Sequence, residues 1–111
     1  MGTLARGDIV LFPFPYTDLS NRKLRPCLVL SEEMGEDVIL CQITSQRLLR
    51  DSYSVELKHA DTIGGTLRID SYIRANMIFT AAKMQIIKRL CRINDEKYSQ
   101  VVSVVKKIIE K

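Results

Sequence analysis

The chain has no tryptophan and few residues of several other informative kinds. Its 111 residues include three phenylalanines, four tyrosines, three prolines and one histidine. So few aromatic residues disfavour a peptide-binding module, because a groove for proline-rich ligands needs several exposed rings. No run approaches the roughly 20 apolar residues that span a bilayer, and residues 1–6 lack the apolar segment of a secretory signal. We therefore expect a cytoplasmic protein that does not associate with a membrane.

The three cysteines, Cys27, Cys41 and Cys91, are odd in number and far apart in the sequence. This spacing argues against a disulfide framework and against a zinc site of the CxxC type. Cys27 and Cys41 each lie in an apolar run, which predicts buried free thiols. A Cys–His nucleophilic site would have to use His59, which we interpret instead as a surface or turn residue.

The composition indicates one folded domain, residues 1–111. Hydrophobic residues make up 46% of the chain and charged residues 27%, so there are enough apolar groups for a core. The net charge is +4 and the isoelectric point is about 9.1. This mild basic bias is compatible with a polyanionic partner but does not identify one.

Short apolar or alternating segments predict several β-strands. These segments are residues 8–14, 27–31, 38–44, 53–57 and 71–79. Pro13 and Pro15 predict a sheet edge or the exit of the first strand, because proline cannot donate to a ladder. Residues 16–24 form a polar segment, interpreted as a loop that carries Arg22 and Lys23. The class of residues 84–93 stays open.

Alternation within residues 71–79 predicts two different strand faces. One face would carry Ile73, Ala75, Met77 and Phe79. The other would carry Tyr72, Arg74, Asn76 and Ile78.

The C-terminal segment predicts an amphipathic helix. Asn94 is a favourable N-cap, and two acidic residues follow it in the first turn. Apolar residues then recur at helical spacing: Tyr98, Val101, Val102, Val105, Ile108 and Ile109. Because its β-branched residues are poor helix formers, this helix must be stabilised by packing on the sheet or on a partner. Many short strands and one terminal helix together predict a mainly β fold, a small barrel or a strongly bent sheet.

Three stretches of the sequence resemble the MazF/PemK/Kid family of toxin endoribonucleases. The first is Arg-Gly-Asp-Ile-Val at residues 6–10, followed by Arg-Pro and an aliphatic run at residues 25–31. The second is Ile-Thr-Ser at residues 43–45. The third is the strand at residues 70–80. The resemblance implies an SH3-like barrel of the MazF/PemK/CcdB kind and a homodimer. It also implies a single-stranded RNA substrate, a cognate antitoxin, and neither a cofactor nor a metal.

The resemblance also assigns roles to particular residues. Arg25 matches the family's catalytic arginine, and a guanidinium can stabilise charge on a phosphate oxygen while 2′-OH attacks phosphorus. Thr44 matches the active-site threonine, whose hydroxyl can donate to the same phosphate. Ser45, Arg74 and Asn76 are expected to assist in catalysis or phosphate binding.

Six further residues are expected to bind RNA as an electropositive groove with a stacking surface. They are Tyr16, Thr17, Arg22, Lys23, Arg47 and Arg50. Phe12 and Phe14 are interpreted as core residues, which leaves Tyr16 as the better stacking candidate.

The sequence departs from the family pattern at several positions. Asn76 replaces an acidic residue, and an amide cannot serve as a general base. Phe79 stands where many relatives have arginine, and Ala82 where many have aspartate. An alternative is therefore a catalytically degenerate relative, or a CcdB-like binder of nucleic acid or protein. A generic SH3-like interaction module is the third hypothesis.

Overall fold

The computed structural model describes residues 2–15, 22–46, 52–67 and 69–110, without the side chains of residues 15 and 22. Within these residues it contains seven strands and one α-helix. The strands are β1 (Asp8–Pro15), β2 (Arg22–Val29), β3 (Asp37–Thr44), β4 (Ser54–Leu57), β5 (Thr62–Ile63), β6 (Ser71–Ala82) and β7 (Lys88–Ile93). The helix α1 spans Asp95–Ile109, and short 3-10 turns occupy His59–Asp61 and Lys83–Gln85.

All seven strands belong to one antiparallel sheet in the order β4-β6-β3-β2-β1-β7-β5. The sheet curves into a nearly closed barrel, which confirms the predicted fold class. The predicted strand segments correspond to β1, β2, β3, β4 and β6. Residues 84–93, whose class the sequence leaves open, end in β7.

Two hydrophobic clusters occupy opposite faces of this sheet, which explains why its central strands are nearly continuous apolar runs. The first cluster includes Ile9, Leu28, Cys41, Ile43, Val55, Leu57, Ile73, Ala75 and Val101. The second cluster includes Val10, Phe12, Cys27, Val29, Val38, Leu40 and Ala81. Because side chains alternate along a strand, membership in a cluster shows which face each neighbouring residue occupies.

The first two strands differ from the sequence-based interpretation in their length. β1 continues through both prolines, and Pro13 pairs with Leu24 of β2. The β7 ladder ends at Leu11, so the prolines lie where β1 pairs on one side only, as their missing N–H requires. The placement of Arg22 and Lys23 in a loop was wrong, because β2 already begins at Arg22.

A wide irregularity interrupts the pairing of β3 with β6. Cys41 pairs with Ile78, whereas Ile43 pairs with Ile73. Between these pairs β3 has one residue and β6 has four, so alternation along β6 changes phase within the bulge. The prediction that Phe79 shares a face with Ile73 and Ala75 was therefore wrong. Phe79 packs against the second cluster instead.

The helix α1 begins where the sequence predicts. The Asn94 side chain accepts a hydrogen bond from the Lys97 amide at 2.7 Å, which satisfies one free N–H of the first turn. Val101 is fully buried in the first cluster. The Tyr98 hydroxyl donates to the Leu30 carbonyl at 2.6 Å. The helix therefore covers the face of the sheet that carries the first cluster.

Candidate functional site

A row of paired residues crosses the face opposite α1. Phe12 pairs with Arg25, and Thr44 pairs with Tyr72. The β2–β3 ladder ends at the pair Cys27–Gln42, and Arg25 and Thr44 each lie two residues beyond that pair, at positions that the same register would align. We call this surface, which bears Phe12, Arg25, Thr44 and Tyr72, the site face.

Arg25 and Thr44 point to the same side of the sheet. Arg25 alternates with the second-cluster residues Cys27 and Val29, and Thr44 alternates with Leu40 in the same cluster. Both side chains therefore lie on the site face of adjacent strands, just beyond the last pair of the β2–β3 ladder.

The guanidinium of Arg25 lies beside a buried thiol at the edge of the second cluster. Arg25 itself is half-buried. Burial raises the pKa of the Cys27 thiol to about 12, Cys41 adds to this effect, and the positive charge of Arg25 opposes it. A neutral thiol does not compete with a phosphate for the guanidinium, so Arg25 is available to an anionic ligand.

The hydroxyl of Thr44 has a defined orientation. Its Oγ1 accepts a hydrogen bond from the amide of Gln46 at 3.1 Å. A hydroxyl that accepts through a lone pair still has its own hydrogen to donate. The half-buried Thr44 can therefore donate to a phosphate oxygen. Ser45 follows it in an exposed position.

Arg74 lies on the site face at the start of the β6 bulge. It pairs with Ser54 of β4, and it follows Tyr72 by two residues. The side chain is half-buried, and the thiol of Cys41 donates to its main-chain carbonyl at 2.8 Å. Arg74 thus lies beside the row that holds Thr44, where a second cation would favour a phosphate.

Asn76 is exposed and lies within the bulge. The i, i+2 argument that placed Asn76 on the same face as Arg74 assumes regular alternation, which β6 does not keep between Ile73 and Ile78. A role of Asn76 beside Arg74 therefore does not follow from strand geometry.

Of the six residues expected to bind RNA, the structure fully describes one. Lys23 is exposed and precedes Arg25 by two residues in β2, so it lies on the site face. The backbone of Arg22 is in β2, but its side chain lies outside the described part of the chain. Tyr16, Thr17, Arg47 and Arg50 also lie outside the described residues.

Residues 5–109 match the protein family described as PemK-like, MazF-like toxin of type II toxin-antitoxin system. The chain belongs to this toxin family. Among curated protein sequences, no relative matches it.

Several solved structures have the same fold. A chain of the MazE-MazF crystal structure from Deinococcus radiodurans superposes with a TM-score of 0.78 at 16% identity, covering 97% of each chain. An endoribonuclease from a mycobacterial species, in complex with its cognate antitoxin, gives 0.73 at 16% identity, covering 96% of this chain and 93% of that one. The Mycobacterium tuberculosis toxin MazF-mt6 gives 0.67 at 13% identity, covering 88% and 93%.

Three phenylalanines form an aromatic triangle beside Arg25. Phe79 packs against Phe12 and Phe14, and the three ring centroids lie 5.2–5.4 Å apart. These tilted and edge-to-face contacts are favourable aromatic geometries. Phe79 therefore contributes to the second cluster beside Arg25 rather than supplying a cation.

Two residues of the site face were not singled out from the sequence. Tyr72 could have been found, because it precedes Arg74 by two residues in an alternating strand. For Glu56, local alternation indicates its face on β4 but not that β4 lies beside β6. A shallow apolar cleft beside Ser45 includes Leu67 and Ile69, but Leu67 packs against the first cluster, so this cleft lies on the other face of the sheet.

His59 lies in the 3-10 turn His59–Asp61 and is exposed. Its Nδ1 is 3.0 Å from the Thr66 hydroxyl oxygen. This confirms the interpretation of His59 as a surface or turn residue.

The described residues contain no group of three or more His, Cys, Asp or Glu side chains arranged to hold a metal ion. None of their helices combines the length and apolar character needed to cross a membrane.

Proposed function

We propose that this protein is the toxin of a type II toxin–antitoxin system and acts as an endoribonuclease on single-stranded RNA, including mRNA. The placement of Arg25 and Thr44 on one face of adjacent strands carries the proposal. A fixed guanidinium and a hydroxyl can stabilise the charge that develops on phosphate oxygens during strand cleavage. Membership of the toxin family, and the endoribonuclease among its structural relatives, support the same activity.

The proposed reaction is attack by a ribose 2′-oxygen on the adjacent phosphorus. The bond from phosphorus to the 5′-oxygen breaks, which leaves a 2′,3′-cyclic phosphate and a 5′-hydroxyl. Arg25 and Arg74 bind the phosphate, and Thr44 donates to one of its oxygens. Because these groups supply the electrostatic stabilisation, we propose that cleavage is independent of metal ions.

Recognition of the RNA sequence is assigned to the surroundings of this row. Lys23 extends the positive charge along β2 on the site face. Tyr16, Thr17, Arg22, Arg47 and Arg50 keep their proposed role as RNA-binding residues. Ser45 and Asn76 keep theirs as assisting residues.

The proposed assembly is a cytoplasmic homodimer controlled by a cognate antitoxin. Structural relatives are described as complexes with an antitoxin or as MazE-MazF, which supports such a partner here. Exposed apolar side chains at the end of α1, Ile108 and Ile109, favour contact with another chain. Sedimentation equilibrium should give a mass near twice the 12.7 kDa of the chain.

The decisive experiment is incubation of a long single-stranded RNA with the purified protein in EDTA. We expect cuts at a short recurring sequence, with cyclic phosphate ends detected by mass spectrometry. Arg25→Ala should abolish cleavage without changing the circular dichroism spectrum. Arg92→Ala, at an exposed strand position on β7, is the matched control and should cleave normally.

A second candidate function is binding without cleavage. It is favoured by Phe79, which packs in the aromatic triangle, and by Asn76, which cannot act as a base. This candidate predicts that RNA or a protein target is bound while RNA remains intact in the same assay. Such a result would contradict the endoribonuclease proposal.

A further inference from the structure

Glu56 extends the row of the site face onto a fourth strand. Its neighbours Val55 and Leu57 belong to the first cluster, so alternation directs Glu56 to the opposite side. Glu56 pairs with Tyr72, and Tyr72 pairs with Thr44. The row therefore runs from β1 to β4 through Phe12, Arg25, Thr44, Tyr72 and Glu56, and Glu56 contributes its one carboxylate.

The spacing of the strands places this carboxylate within reach of a bound phosphodiester. Glu56 and Thr44 are two strands apart, which corresponds to roughly 10 Å between their backbones. Arg74, the partner of Ser54, is a diagonal neighbour of Glu56 at about 7–8 Å. A phosphate bound by Thr44 and Arg74 would lie between these two residues, with its ribose directed toward β4, the strand of Glu56.

The reaction needs a proton acceptor that the other proposed residues do not supply. A 2′-hydroxyl attacks efficiently only when a base removes its proton. The guanidinium groups of Arg25 and Arg74 have no proton-accepting site, and the amide of Asn76 is not basic. A carboxylate can perform this role when it is ionised.

The Glu56 carboxylate has a cationic partner. Its Oε1 lies 3.1 Å from the Nζ of Lys58, and half of the side chain is exposed. The hydrogen bond that Lys58 donates to Glu56 is the main reason that the pKa of Lys58 is raised, so this partner remains a cation. Other charged or titratable groups nearby are Tyr72 and Arg74 on β6 and Asp70 before it. Across the edge of β4, on the side of α1, lie Glu96 and Lys97.

We propose that Glu56 is a catalytic residue, the general base of the RNA cleavage; this inference rests on the function proposed above. The Glu56 carboxylate removes the proton of the 2′-hydroxyl as that oxygen bonds to phosphorus. The bond from phosphorus to the 5′-oxygen breaks, and the leaving oxygen takes a proton from water. Glu56 then releases its proton to solvent, which balances the cycle.

The first test is Glu56→Gln, which keeps the shape of the side chain and removes the proton acceptor. We expect kcat on an RNA oligonucleotide to fall about 10²-fold or more, with KM changed less than about twofold. The acidic limb of the pH–rate profile should disappear, because the proposed general base is gone. An unchanged kcat and an unchanged acidic limb would overturn the proposal.

Two variants exclude trivial explanations. Glu32→Gln is the matched control, since Glu32 is also an exposed carboxylate paired with a cation, Arg6, at 3.3 Å. It should cleave like wild type. If Asp70→Asn abolished the acidic limb while Glu56→Gln preserved it, the assignment to Glu56 would be wrong.

The second test uses an oligonucleotide with sulfur in place of the 5′-oxygen at the cut. Such a leaving group needs no protonation. Loss of a general acid should therefore leave the rate of cleavage of this substrate unchanged, whereas loss of a general base should lower it. The defect of Glu56→Gln should persist on this substrate; its disappearance would overturn the role as base. If wild-type protein cleaves neither substrate, the proposed function fails. Cleavage by wild type with a normal Glu56→Gln variant refutes only the present inference.

Discussion

The thiol of Cys41 donates a hydrogen bond to the main-chain carbonyl of Arg74, with sulfur and oxygen 2.8 Å apart. The contact crosses the bulge, where β6 has four residues opposite one of β3. Burial raises the pKa of Cys41 to about 12, so the thiol keeps its hydrogen at neutral pH. Cys41, a buried cysteine without a disulfide partner, thereby holds the backbone of Arg74, a residue on the site face, in place.

Replacing this thiol should weaken cleavage more than it weakens the fold. Cys41→Val keeps most of the volume but removes the donor, so we expect unfolding free energy to fall by about 1 kcal/mol. The displaced Arg74 should lower kcat/KM roughly tenfold, which corresponds to about 1.4 kcal/mol. Cys41→Ser restores a donor and should recover most of the activity. Equal activity of the two variants would contradict a positioning role.

Thr44 should contribute through its hydroxyl alone. Thr44→Val is nearly isosteric and β-branched, so the end of β3 should persist. Loss of one donor to the developing charge should lower kcat by about 10²-fold, measured on the mapped RNA substrate. Thr44→Ser retains the hydroxyl and should stay within severalfold of wild type. A fully active Thr44→Val variant would remove Thr44 from the catalytic set.

Acid should weaken the fold partly through Glu33. Its carboxylate accepts hydrogen bonds from Lys83 at 2.8 Å and from the Leu4 amide at 2.7 Å, and these lower its pKa. Because the pKa of Glu33 is lowered in the folded state, its ionised carboxylate stabilises the folded protein above the unfolded-state pKa of about 4.5. This stabilisation is lost as the pH falls through the folded-state pKa. Glu33→Gln should therefore make the melting temperature fall less steeply as the pH is lowered into the acidic range. Glu110→Gln, exposed at the end of α1, should leave the profile unchanged.

The docking of α1 should depend on the Tyr98 hydroxyl. Tyr98→Phe removes the 2.6 Å bond to the Leu30 carbonyl and leaves a partly buried acceptor without its donor. We expect a loss of about 1–2 kcal/mol in the free energy of unfolding, measured by urea denaturation. Ser99→Ala, exposed on the same helix, should change stability little. A larger loss in the control would show that the helix itself, rather than this contact, limits stability.

Individual helices and strands could be predicted from the sequence where residue type and spacing give a strong local pattern. Asn94 and the apolar spacing behind it predicted α1, and the observed cap confirms that prediction. The alternation in β4 was equally informative, because Val55 and Leu57 are both buried. The bulge in β6 was not predictable in this way. It results from pairing with β3, a strand about 30 residues earlier in the chain, and local alternation carries no information about a distant partner.

The site was predictable only in part, for the same reason. Arg25 and Thr44 could be singled out by their resemblance to the family's site residues, and the structure places both on the site face. Glu56 could not be singled out from the sequence, since an acidic residue in an alternating strand normally faces solvent. Its relation to Thr44 exists only through Tyr72, which pairs with both strands.

The sequence by itself determined the apolar strands, the capped terminal helix, the buried free cysteines and the membership of a toxin family. These properties depend on residue type and short-range spacing, which the chain carries before it folds. Only the tertiary structure decided that Arg25, Thr44, Tyr72 and Glu56 lie in one row, and that Phe79 turns to the second cluster. The physical reason is strand register: cross-strand hydrogen bonding aligns residues far apart in sequence, and a bulge changes which face they occupy.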